Sequence, residues 1–176
     1  MNLPPPPTDL PTITSQEASL VFPAFTSDTA FALGLLLRQN LAVFPQPAVI
    51  NISLANSQQL LFHTVTHPGT TPDNDTWVQR KRNSVLRFGC STWFLHCKFA
   101  GDEGAFAAKY ALQENAKNYA IHGGGFPVKV RGVEGVVAVI VVSGLKQEQD
   151  HGIIVHTIKE YLDGMDETGA EKKKED

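Results

Sequence analysis

The sequence predicts an α+β domain: one antiparallel sheet of about five strands, helices interrupting it between strands two and three, and terminal helices packed on its faces. Two observations predict the sheet. AVINISLANSQQLLFHTVTH holds two β-rich runs around a short polar turn, and GGGFPVKVRGVEGVVAVIVVSG holds two more around a glycine turn, so both read as hairpins. A third predicts the helices: between and outside the hairpins, apolar residues recur at helical spacing. A parallel doubly wound sheet needs strand and helix to alternate throughout, and hairpins break that alternation.

The bulk properties agree. At 176 residues, with 42% hydrophobic and 19% charged side chains, the chain has the balance of one globular domain with tails. A net charge of −3 leaves no electrostatic footprint for nucleic acid. The longest apolar run, GVVAVIVVSGL, falls short of the roughly 20 residues that span a bilayer, which makes it a buried strand rather than a membrane insertion. The first residues have no basic start followed by an apolar block and small-residue cleavage site, so cytoplasmic residence is the expectation.

Taken in order, residues 1–16 are proline-rich and are expected to form a disordered, extended arm, open to protein partners. Residues 17–163 form the domain. SDTAFALGLLLRQNLAVF, with Thr26 or Ser27 as cap, reads as a helix ending before Pro45. Strands follow at 48–54 and 59–66. HPGTTPD breaks the pattern, and Asp73 is a candidate cap for the helix DNDTWVQRKRNSVLRFG. Shorter helices are expected near 91–98 and 102–113, then a short strand at YAI, a strand at 126–131 and the long buried strand. LKQEQDHGIIVHTIKEYLDG closes the domain as a helix ending at Gly164, and residues 164–176 read as a charged, disordered tail. Cys90 and Cys97, placed in one helix, stand about 10 Å apart along its axis, too far to bridge, and are expected to be reduced.

Three stretches offer chemistry. On a helix turning about 100° per residue, Trp77, Lys81, Ser84 and Phe88 share one face, Arg80 and Arg87 nearly eclipse at its edge, and Arg82 points away to solvent. An ammonium on an inward face needs a partner. In one reading Lys81 snorkels or pairs with Asp73 or Asp75. In the other, Arg80 and Arg87 present their forks to one carboxylate or phosphate. HGGGFP places Gly123, Gly124 and Gly125 in a turn whose missing side chains permit close backbone approach to a ligand, or simply a tight reversal, beside His122. SGLKQEQDH ends the buried strand at Ser143 and opens the last helix, where adjacent Asp150 and His151 diverge and need separate partners; an arginine of the earlier helix is one candidate for Asp150. No HExxH, CxxC or GxSxG is present, which disfavours a zinc protease, a zinc ribbon and an α/β-hydrolase.

DNDTWVQRKRNSVLRFG, HGGGFPVKV and VVSGLKQEQDH, in that order and spacing, resemble three blocks of the GlcG/HbpS-like family of haem-degrading or haem-binding domains. The resemblance runs from about residue 27 to 163, towards a cytosolic branch carrying DND-W-RK, HGG and SGL-DH. It implies a profilin-like domain that assembles with copies of itself. It also carries over Lys81, the Gly124-Gly125-x-Pro127 turn, and Ser143, Gly144 and Asp150 as residues meeting at a cleft or subunit boundary. Haem is the cofactor it implies, with His122 or His151 as axial candidates and Arg80 and Arg87 for the propionates. The expected function is therefore binding of a small anionic ligand or haem, with or without turnover. The alternative is a non-enzymatic oligomeric scaffold displaying its tails to protein partners.

Overall fold

The structure, a computed structural model, describes residues 3–172, with side chains as far as Met165. From Asp9 onward the chain is not the extended arm expected. Asp9 caps helix α1 (Leu10–Ser19), its side chain accepting from the Thr12 N–H at 2.9 Å, and Pro11 sits in the first turn, where its missing N–H costs nothing. Ile13 and Glu17, one turn apart, are buried, and the Glu17 carboxylate accepts the Ser91 N–H at 3.1 Å. Upstream, the Trp93 indole donates to the Pro7 carbonyl at 2.8 Å. Proline content suggested disorder for residues 1–16; from Asp9 on, the cap and the inward Ile13 outweigh it.

Strand β1 (Val21–Phe22) is followed by helix α2 (Ser27–Leu41), in which Ala30, Leu33, Gly34, Leu37 and Leu41 form the buried stripe. Strands β2 (Val49–Leu54) and β3 (Leu60–Val65) make the first hairpin, and β4 (Gly125–Val130) and β5 (Ala138–Ser143) the second. Together they form a five-stranded sheet in the order β1-β4-β5-β2-β3, antiparallel except where β1 joins β4 in parallel. The fifth strand is thus β1, not the YAI segment, which follows a 3-10 helix (Gln113–Asn118) without joining the sheet.

Central strand β5 is buried along its whole length, as its unbroken apolar sequence requires. Ala138, Ile140 and Val142 face a core shared with α2 and the last helix, α6 (Gln147–Lys172). Val139 and Val141 face the opposite way, towards Val78 and Val85 of helix α3 (Pro72–Phe88). The sheet is therefore covered on both sides. A third cluster, Leu95, Phe106, Leu112 and Ile121, lies under the short helices α4 (Thr92–Lys98) and α5 (Glu103–Lys109).

Two ends differ from expectation. Helix α3 is capped at Thr71, whose N–H is accepted by the Asn74 side chain at 2.8 Å, rather than at Asp73. Helix α6 continues through Gly164 to Lys172, so the tail expected from 164 is helical that far; residues 173–176 lie outside the described residues. Both cysteines are free. Among the described residues, no helix is long and apolar enough to cross a membrane.

Candidate functional site

Helix α3 lies on β4 and β5 with Val78, Lys81, Ser84 and Val85 turned inward, the three- and four-residue steps of one helical face. Lys81 thus reaches the end of β5. Its Nζ donates to the Val142 carbonyl and to Asp150 Oδ2, both at 3.0 Å, and each side chain of the pair is only 3% exposed. Neither Asp73 nor Asp75, nor any arginine, takes these places.

Asp150 stands in the first turn of α6, where the helix dipole favours a carboxylate. It also accepts the Leu145 N–H at 3.0 Å and the Gly144 N–H at 3.4 Å. Burial pushes its carboxyl above the ordinary value, while Lys81 and the two amides pull it down. An ammonium and two N–H donors around one carboxyl are the company of an ionised acceptor. The pair therefore ties α3, β5 and the start of α6 together.

The glycine turn serves this pair. Gly124 has φ +111°, and a Cβ there would meet the Val142 carbonyl and lie 2.7 Å from Lys81 Nζ. Its neighbours' N–H groups are already engaged: Gly123 donates to Gln147 Oε1 at 3.3 Å and Gly125 to Thr92 Oγ1 at 2.9 Å. The turn thus lets the chain pass close to Lys81 rather than presenting a cradle of three free amides.

Beside it, the His122 ring meets Trp77 edge to face with centroids 5.0 Å apart, and its Nδ1 lies 3.1 Å from Glu103 Oε1. Burial holds the His122 pKa below its ordinary value, against the pull of Glu103. A pocket of about 280 Å³ opens here, lined by Asn74, Trp77, His122, Ser143, Leu145 and Gln147, with Lys81 and Asp150 in its wall. Trp77, Lys81, His122, Ser143 and Asp150, all candidates above, line this one pocket.

Four expectations fail. Arg80 covers the Trp77 ring at 4.4 Å and donates from Nε to the Tyr119 carbonyl, whereas Arg87 donates to the Tyr119 hydroxyl at 3.2 Å and lies over its ring. The two forks are engaged at Tyr119 and do not converge on the pocket. Arg82, expected in solvent, is buried because it sits one turn after Val78 on a helix with two covered sides, and it donates to the Leu54 carbonyl at 3.2 Å. His151 is wholly buried between Trp93 and Phe126, at 5.9 and 6.1 Å, with neither ring nitrogen hydrogen-bonded. Burial lowers its pKa to about 3, so it is a neutral core ring, out of reach of a ligand. The fourth is the ligand-cradle reading of the glycines, against which the alternative of a tight reversal holds.

Asn74 and Gln147, which line the pocket from a capping position and a helix start, and Glu103, which pairs with His122 beside it from a separate helix, were missed. Ser84 was seen only as part of a face, but its hydroxyl donates to the Ala120 carbonyl at 2.7 Å and accepts the Ala120 N–H at 3.1 Å, pinning the segment that carries His122.

Fold and site define an α+β domain with a small pocket of mixed polar and apolar lining beside a buried ion pair. The family described as haem degrading protein HbpS-like matches residues 25–159, and the chain belongs to that family. A UPF0303 protein of Streptomyces avermitilis is 40% identical over 157 residues, covering 89% of this chain and 92% of its own. A UPF0303 protein of Brucella anthropi is 40% identical over 150 residues, 85% of each chain. The crystal structure of the Ybr137w protein superposes with a TM-score of 0.83 at 34% identity over 89% of both chains. The PduOC–haem complex superposes at 0.62 with 18% identity, covering 77% of this chain and 94% of its own, which is a likeness of fold.

Proposed function

We propose that the chain binds a small carboxylate- or phosphate-bearing molecule in the Lys81 pocket, working as a cytoplasmic homo-oligomer. One observation carries this reading. Lys81 spends two of its three ammonium protons on Val142 and Asp150, and the pocket wall where it lies is ringed by polar groups with Trp77 as the flat apolar side. A ligand oxygen there would meet a charge-assisted donor and the Gln147 and Asn74 amides, while its carbon frame lies on Trp77.

Haem is the ligand in the family's description. A tetrapyrrole needs a long apolar slot, and this pocket of about 280 Å³, with Asn74, Gln147, Lys81 and Asp150 around it, is small for the macrocycle. Of the two axial candidates only His122 is accessible, since His151 is enclosed. A small anion suits the residues better. The scaffold reading loses its basis in a free arm, because α1 is docked.

A thermal-shift panel of inorganic phosphate, phosphate esters and small mono- and dicarboxylates, run beside a haem titration, tests this. Stabilisation of wild type by a panel member, lost in Trp77→Ala, is expected. A stoichiometric Soret shift that disappears in His122→Ala, with no response to the panel, would replace the small anion with haem.

A further inference from the structure

A larger cavity than the Lys81 pocket lies elsewhere in the fold. A groove of about 890 Å³ runs between α1, β1 and α6, lined among others by Gln16, Leu20, Val155, Leu162 and Met165, with Arg131 and Lys159 in its wall. It exists because α1 folds down: buried Ile13 and Glu17 hold that helix in place, and Leu20 leads it into β1. Its volume falls within the ~300–1,000 Å³ of small-molecule sites.

The lining is amphipathic in a particular way. Leu20, Val155, Leu162 and Met165 supply an apolar bed. Arg131 and Lys159 are both exposed, and among the described residues neither has a carboxylate partner; Asp163 is the groove's one acid. In a chain of net charge −3, two unpaired cations beside an apolar bed are a local reversal of sign. The Gln16 side-chain oxygen in the same lining is buried without a hydrogen-bond partner.

We infer that this groove binds an anionic amphiphile: one molecule with an apolar tail along Leu20, Val155 and Leu162 and a carboxylate or similar head at Arg131 and Lys159. The inference is independent of the Lys81 pocket, which lies elsewhere and is lined by none of these residues.

Dodecanoate, kept below its micelle concentration, displaces 1-anilinonaphthalene-8-sulfonate from the full-length protein in the decisive experiment. Saturable displacement at one equivalent per chain is expected, at least tenfold weaker in Arg131→Gln/Lys159→Gln and at least tenfold weaker for dodecanol. Both cations are exposed, so that variant keeps its fold, checked by its melting curve. Leu162→Trp, which narrows the bed, should also lose binding. No saturable displacement, which a second copy seated in the groove would also produce, overturns the inference. So does equal affinity in the double variant, or binding lost instead in Gln147→Ala at the other pocket.

Discussion

Lys81 Nζ and Asp150 Oδ2 lie 3.0 Å apart across 69 residues of sequence, each side chain 3% exposed, and no other described ion pair is comparably enclosed. Breaking such a pair by removing one partner strands a charge, at a cost of about 3–5 kcal/mol. Lys81→Met should therefore lower unfolding stability by that order in urea titrations. Lys81→Met/Asp150→Leu should recover much of it, because replacing both charges removes the stranded one.

Gly124→Ala should destabilise more than Gly132→Ala. Both glycines have positive φ, +111° and +77°, but an added Cβ meets Lys81 and the Val142 carbonyl at the first and nothing within 4 Å at the second. Conformation alone costs about 1 kcal/mol, and the collision at Gly124 adds to it. Paired denaturation curves measure the difference.

His151 makes stability fall in acid. Its native pKa is lowered to about 3 by burial, whereas an unfolded histidine titrates near ~6.5. Between those values the unfolded state binds more protons, so the contribution is fully present above about pH 6.5 and is lost as pH falls towards 3, by up to roughly 1.4 kcal/mol per pH unit. His151→Phe should flatten this part of the stability–pH profile.

Cys90 should resist thiol reagents. Burial first, and then the nearby Glu17 charge, push its thiol up to about 12, so little thiolate exists at neutral pH. Reaction with Ellman's reagent should be slow in the folded protein and rapid in urea, with Cys90→Ala removing the slow phase.

The sheet and the long helices were legible because hydrophobic period survives in a single sequence: β5 announces itself by an unbroken apolar run, and α2 by its stripe. The start was misread because proline counts are compositional, whereas the order of α1 comes from the Asp9 cap and from Ile13 docking on distant elements. Within the site, the helical wheel placed Lys81 inward, but its partner lies 69 residues on, and local spacing cannot choose between Asp73, Asp75 and Asp150. Arg82 and His151 show the same limit. The helical wheel suggested water for Arg82 and the residue type suggested chemistry for His151, while tertiary packing buried both. Arg80 and Arg87 share a helix edge as the wheel showed, but Tyr119, invisible to it, engages both.

The central claim is that the Lys81 pocket is a ligand site and not merely a structural tether. Isothermal titration of wild type, Trp77→Ala and Gln147→Ala with the best ligand from the phosphate and carboxylate panel tests it most directly, since neither variant touches the ion pair. The account predicts one site per chain, with affinity at least tenfold weaker in both variants, each shown to be folded by its melting curve. Undiminished affinity in both variants, or no saturable heat from any panel member with wild type, would contradict it.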